Sequence, residues 1–238
     1  MLNIAHRGFK SKYPENTMLA FKKAVEENAD GIEFDVHLSK DDEIVIIHDE
    51  RLDRTTNAKG RVMDYTLAEL KKVNAGALYD NIDFEAIPTL REYFEYIKDK
   101  DIITNVELKT GVYWYKGIEQ KVYDMIKEFD LKDKIIISSF NHKSVLAMKK
   151  IDEKIKCGLL IDSWLEKPWL YLKQLGVECY HPSAYCVDEE LVTGLHENGF
   201  ELNVWYGTEP FNFSDTYKLN VDAMITDYPD EINKIRSM

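Results

Sequence analysis

Eight short segments rich in β-branched and aromatic residues recur along the chain, at 2–6, 31–36, 102–108, 135–139, 157–161, 177–180, 201–205 and 223–226. Helical patterns lie between most of them, at 17–28, 90–100, 117–129, 143–151, 188–198 and 231–236. Strand–helix alternation implies parallel pairing with right-handed crossovers. Eight strands imply a sheet closed on itself. The expected fold class is therefore α/β, a parallel (β/α)8 TIM barrel. A length of 238 residues suits it, since such barrels run to about 250. The alternative is an open doubly wound sheet, which usually carries a Gly-rich phosphate loop; none is present.

One segment breaks the alternation. Residues 43–47 read as a strand, yet only Ser39-Lys40-Asp41-Asp42 separates them from the strand before. That spacing makes a hairpin, not a crossover. A turn centred near Asp41 sets His48 opposite Phe34, level with Glu33 and Asp35 at the barrel mouth. Residues 50–87 are a second irregularity. They hold polar turns and one short helix, where Thr66-Leu67-Ala68-Glu69 fits a capping box. So long a stretch inside a barrel reads as a small insertion subdomain near the site, within one domain spanning 1–238.

Composition narrows the partners. Hydrophobic residues make up 45% of the chain, enough for a full core. Lys and Arg number 31 against 43 Asp and Glu, a net charge of −12. That excludes a nucleic-acid surface, which needs a basic footprint. An anionic substrate then requires local positive charge, from a metal or a few basic side chains. Cys157, Cys179 and Cys186 are odd in number and lack metal-ligand spacing, so they read as free thiols. The N-terminal Met1-Leu2-Asn3-Ile4-Ala5-His6 shows no basic leader, and no apolar run is long enough to span a membrane. A cytoplasmic protein without membrane insertion is expected. Nothing in the sequence speaks to oligomeric state.

Barrel enzymes place their chemistry at the C-terminal ends of the strands. Three such ends carry charge: Ile4-Ala5-His6-Arg7-Gly8, Glu33-Phe34-Asp35 and Glu107-Leu108-Lys109. Residues two apart on a strand share a face, so Glu33 and Asp35 point together. Three carboxylates converging at one mouth repel each other unless a cation joins them. Oxygen ligands without His or Cys suit Mg²⁺ or Ca²⁺, with Mn²⁺ compatible. The competing reading is salt bridges to Arg7 and Lys109. Five charges at one mouth favour a site over a stability device. His6 and His48 add two groups that titrate near neutrality. Together the set can bind a phosphodiester, neutralise its charge, and move one proton on and one off. The other histidines read as structural: His37 outward on the hairpin, His142 and His196 on helix surfaces. His181 precedes Pro182 at a strand end, where position leaves contact with the site open.

The motifs then extend the pattern: His6-Arg7-Gly8, Pro14-Glu15-Asn16-Thr17, Glu33-Phe34-Asp35-Val36, His48-Asp49, Arg54-Thr55-Thr56, Ile87-Pro88-Thr89-Leu90, Glu107-Leu108-Lys109 and Ile225-Thr226-Asp227-Tyr228-Pro229. In order and spacing they resemble the glycerophosphodiester phosphodiesterase family, in its bacterial cytoplasmic form. The resemblance implies a barrel with a small inserted subdomain. It implies one divalent cation on Glu33, Asp35 and Glu107, with His6 and His48 as general acid and base in unassigned order. It implies that Arg7 and Lys109 hold phosphate oxygens, that Glu15 buttresses Arg7, and that Trp205 lines the glycerol pocket. The implied reaction is hydrolysis of a small-molecule glycerophosphodiester to glycerol 3-phosphate and an alcohol. Either water or the substrate's own 2-hydroxyl can serve as nucleophile. Two departures stand out. Tyr206-Gly207-Thr208 follows Trp205 where the family often has Thr and Asn, and an aromatic loop, Val112-Tyr113-Trp114-Tyr115, follows Lys109. That loop reads equally as packing on the barrel rim or as a platform for the alcohol. Two other functions compete: lysophospholipase D-type hydrolysis of lysophospholipids, and a non-catalytic barrel that only binds a phosphate ligand.

Overall fold

The computed structural model describes residues 1–207 and 212–238. The chain order is β1 (Leu2–His6), α1 (Met18–Glu26), β2 (Gly31–Leu38), β3 (Ile44–Ile46), α2 (Leu67–Leu70), α3 (Leu90–Ile97), β4 (Ile103–Leu108), α4 (Ile118–Glu128), β5 (Ile135–Ser139) and α5 (His142–Ile151). It continues with β6 (Lys156–Ile161), α6 (Pro168–Leu175), β7 (Cys179–Pro182), α7 (Glu189–Glu197), β8 (Glu201–Trp205), α8 (Phe213–Lys218), β9 (Ala223–Thr226) and α9 (Pro229–Arg236). All strands but β3 pair in parallel, and β1 bonds to both β2 and β9, which closes an eight-stranded barrel. The expected barrel is the one found.

Local chemistry starts the helices where the pattern changes period. Thr17, Thr66, Thr89, Asn141, Asp188 and Asn212 each accept a backbone N–H of the following turn. This satisfies donors that a helix start would otherwise leave bare. The capping box at Thr66 and Glu69 forms as expected. Two helices escaped the sequence reading, α6 and α8. The first runs between Pro168 in its first turn and Gly176, whose φ of +67° ends it. Val177 still donates to Leu172 of that helix. The expected strand at 177–180 therefore begins at Cys179 instead.

Strand alternation sorts side chains into two layers. Ile32, Phe34 and Val36 of β2 belong to the large apolar layer between barrel and helices. A small separate cluster of Ile4, Ala223 and Ile225 joins the first and last strands. A third cluster, Val45, Ile47, Leu52, Val62, Leu70, Val73, Ala75 and Ile87, lies under the 50–87 segment. The hairpin register pairs Val36 with Ile46 and Leu38 with Ile44. Continued, it sets His48 opposite Phe34, as the turn predicted. The three cysteines are free and buried. Among the described residues no helix is long and apolar enough to cross a membrane.

Candidate active site

The site forms where four strand ends meet. After β1, Arg7 and Gly8 take left-handed backbone angles, φ +55° and +80°. A Cβ on Gly8 would sit 2.8 Å from the backbone and Cβ of Ala20, so only glycine admits this turn against α1. The turn carries the Arg7 amide to Glu33 Oε2, 3.0 Å away. It also returns 14–17 across the mouth, where Asn16 Nδ2 donates to Asp35 Oδ2 at 2.9 Å.

Register then gathers the acids. Asp35 pairs with Glu107 across β2 and β4, and Glu33 with Asn105. Ligand atoms of Glu33, Asp35 and Glu107 all lie within 4.8 Å of one another, and all three residues are buried. Burial, then the charges of Asp35 and Glu107, pushes the Glu33 carboxyl well above its ordinary range. Burial likewise raises Glu107, against the pull of Lys109. Burial also opposes ionisation of Asp35, but His48, Lys109 and Arg7 together hold its pKa low. Asp35 Oδ1 has no hydrogen-bond partner although fully buried. Lys109 Nζ is 3.7 Å from it and 3.0 Å from Glu107 Oε1. An orphaned carboxylate oxygen among mutually repelling acids fits a hard divalent cation.

Each expected proton-transfer histidine is gripped at Nδ1. His6 Nδ1–H donates to Asp227 Oδ1 at 2.6 Å, and His48 Nδ1–H to Asp49 Oδ1 at 2.6 Å. A carboxylate on one ring nitrogen fixes the tautomer and leaves the other nitrogen an acceptor. His6 Nε2 faces Glu33 Oε2 at 3.9 Å, and His48 Nε2 faces Lys109 Nζ at 3.3 Å. Burial and the neighbouring Arg7 charge bring His6 down to about 4, despite Asp227. Burial opposes the charge on Asp227, yet His6 and Lys10 hold its carboxyl at about 2.

A cationic frame surrounds these groups. Arg7 donates to Glu15 Oε1 at 3.0 Å, the buttress anticipated from sequence, and its Nε is 3.5 Å from Asp35 Oδ2. Arg54, from the 50–87 segment, donates to both Glu15 and Asp49 at 2.8–2.9 Å. Lys10 Nζ donates to the second oxygen of Asp227 at 2.8 Å. The cavity over the site measures about 420 Å³, within the usual range for small-molecule pockets. His6, Glu33, His48 and Glu107 line its polar end, and Phe140, Leu160, Trp205 and Ile225 its apolar wall.

His6, Arg7, Glu15, Glu33, Asp35, His48, Glu107, Lys109 and Trp205 therefore come to one mouth. The reading gave no role to Asn16, Asp49, Arg54 and Asp227, although each stands in a quoted motif. Lys10, Asn105 and, of the apolar wall, Phe140 and Leu160 carried no signal at all; Trp205 was expected there. Two histidines depart from their expected placement. His37 does not point outward: it shares the face of Glu33 and Asp35 and is wholly buried, bonded to Tyr115 and to the His48 carbonyl. His142 is half-buried rather than on the surface, between Tyr171 and the Leu160 carbonyl. His181 stays inside the barrel on Asn203 and is absent from the cavity lining. Of the aromatic loop, Tyr113 and Tyr115 pack inward while Trp114 is exposed, and none lines the cavity. Tyr206 and Gly207 do line it; Thr208 lies outside the described residues.

Comparison with known proteins places this geometry. The sequence model of the glycerophosphoryl diester phosphodiesterase family matches residues 6–231. A glycerophosphodiester phosphodiesterase of Caldanaerobacter subterraneus is 45% identical over 237 residues, covering 99% of this chain and 98% of its own length. One from Bacillus altitudinis is 40% identical, covering 98% and 97%. An Oleispira antarctica phosphodiesterase, solved in complex with the product sn-glycerol-3-phosphate, shares 28% identity at a TM-score of 0.86, covering 99% of this chain and 96% of that one.

Proposed function

Because the chain belongs to the glycerophosphoryl diester phosphodiesterase family, we infer that it hydrolyses glycerophosphodiesters to glycerol 3-phosphate and an alcohol. His6 and His48 are assigned as the proton-transfer pair, and Glu33, Asp35 and Glu107 as the seat of one divalent cation. The observation that carries the assignment is the pairing of two Asp-gripped imidazoles with a buried three-carboxylate cluster at one mouth.

The residues divide the work. Arg7 and Lys109 neutralise phosphate oxygens, and their own partners, Glu15 and Glu107, keep them from swinging away. One imidazole takes a proton from the attacking hydroxyl while the other gives one to the departing alcohol oxygen. Asp227 and Asp49 hold both rings so that Nε2 faces the substrate. A cation in the acid cluster would supply Lewis-acid polarisation of a phosphate oxygen. The oxygen-only donor set supports Mg²⁺, Ca²⁺ or Mn²⁺. Phe140 meets Trp205 edge to face, centroids 5.8 Å apart, and this wall receives the carbon skeleton. We assign 50–87 as a small subdomain of a single domain, because it has its own apolar cluster. Three buried free thiols support a cytoplasmic setting.

The test is turnover of glycerophosphocholine by the purified protein, with and without EDTA, followed by add-back of Mg²⁺, Ca²⁺ and Mn²⁺. Glycerol 3-phosphate should appear in the metal-loaded samples alone. Full activity after exhaustive dialysis against EDTA would remove the cation from the reading. Binding of glycerol 3-phosphate with no turnover of any diester would favour a non-catalytic barrel.

A further inference from the structure

The imidazole of His48 is held by Asp49, but its backbone is held by a separate set of contacts. The β2–β3 ladder ends where Ile47 donates to Asp35, 3.1 Å away. One residue later the chain has left the sheet, and His48 needs another anchor. His37 supplies it from across the hairpin. Its Nε2 lies 3.1 Å from the His48 carbonyl oxygen, and its Nδ1 lies 2.9 Å from the Tyr115 hydroxyl.

Hydrogen-bond direction follows from the acceptor. A carbonyl cannot donate, so His37 Nε2 carries the proton. Nδ1 of the neutral ring is then an acceptor, and the Tyr115 hydroxyl donates to it. The two rings stand edge to face, centroids 5.5 Å apart at 88°. His37 is wholly buried and Tyr115 is 5% exposed. Such a buried polar pair is costly unless fully bonded, and an apolar pair would fill the space without that demand.

We propose that Tyr115 and His37 are positioning residues that set the backbone of His48 and tie it to the segment following β4. The proposal rests on the reading of His48 as a proton-transfer group. The relay spans two strand ends: Tyr115 follows the end of β4, where Glu107 and Lys109 sit, and His37 follows Glu33 and Asp35 on β2. His48 Nε2 meets Lys109 Nζ from the same side. The acids, the lysine and the imidazole are thereby held in one frame. A displacement of about 1 Å in such a group can cost on the order of 10² in rate.

The experiment is a set of double-mutant cycles with kcat and KM read on a glycerophosphodiester. Tyr115→Phe, His37→Leu and His37→Gln are each made alone and with His48→Ala. Tyr115→Phe removes one hydrogen bond and should lower kcat about threefold to tenfold. His37→Leu should lower kcat by roughly 10²-fold, with KM changed by no more than about twofold. His37→Gln can donate to the same carbonyl and should recover most of that loss. With His48→Ala already present, none of the three should change the residual rate. Equal losses in both backgrounds would overturn the relay, and so would a wild-type kcat for Tyr115→Phe. If His37→Leu fails to fold, Tyr115→Phe carries the test, since it deletes a single hydroxyl. If His48→Ala alone keeps wild-type turnover, the reading of His48 fails and the relay with it. In that case glycerol 3-phosphate is still released and the family activity stands.

Discussion

Glutamate buried beside two other carboxylates carries a repulsion that glutamine does not. Burial and its neighbours push Glu33 upward, so Glu33→Gln should fold as well as the parent in EDTA, or melt slightly higher. Calorimetric titration with Mn²⁺ should show weakened binding, and turnover should be largely lost; unchanged affinity would remove Glu33 from the cation seat. For the imidazoles, His6→Ala and His48→Ala should each lose about 10² to 10⁴ in kcat. Asp227→Asn keeps the shape but not the charge that grips His6 Nδ1, and should cost about 10- to 100-fold. A near-parental rate for any of these three would strike that residue from the mechanism. These roles differ in how far the sequence revealed them. Glu33 and Asp35 were legible because residues two apart on a strand share a face. Asp49 was not, because neighbours on a strand point apart; the chain must leave β3 before Asp49 can reach the His48 ring.

Loops behave differently from strands. The aromatic segment after β4 and the wall after β5 both follow strand ends, yet only the latter borders the cavity. Phe140→Ala and Trp205→Ala should therefore shift relative kcat/KM among choline, ethanolamine and glycerol headgroups. Trp114→Ala should leave that ranking intact; a reversed pattern would return the alcohol platform to the loop after β4. In the 50–87 segment, Thr66→Ala removes the side-chain half of the capping box of α2 and leaves the residue-66 backbone N–H on Glu69. A loss of about 1 kcal/mol is expected by urea unfolding. The box was readable from four consecutive residues. By contrast α6 was missed although Pro168 and Gly176 bracket it, since proline at the start and glycine past the end mark a helix only once its length is known.

At the level of the whole barrel, buried neutral histidines set the acid limit. Burial brings His181 down to about 3. Its unfolded counterpart titrates near 6.5, so the unfolded chain binds the extra proton first. Stability from this group is complete above about pH 6.5 and falls as pH drops toward 3, by up to about 1.4 kcal/mol per unit. His181→Gln can still accept from Asn203 and should flatten that slope by one proton in urea titrations between pH 6.5 and 4. An unaltered slope would show that His181 gains no proton on unfolding. The barrel itself was determined by the sequence alone, because eight strand segments recur with helical patterns between most of them, and each of these signals is local. The hairpin register was equally local, since its turn is four residues long. What tertiary structure decided was the set of partners across long chain separations: Asp227 on His6 and Arg54 on Glu15. Barrel closure brings the last strand beside the first, and no pattern along the chain reports which side chains meet when a sheet curls through a full turn.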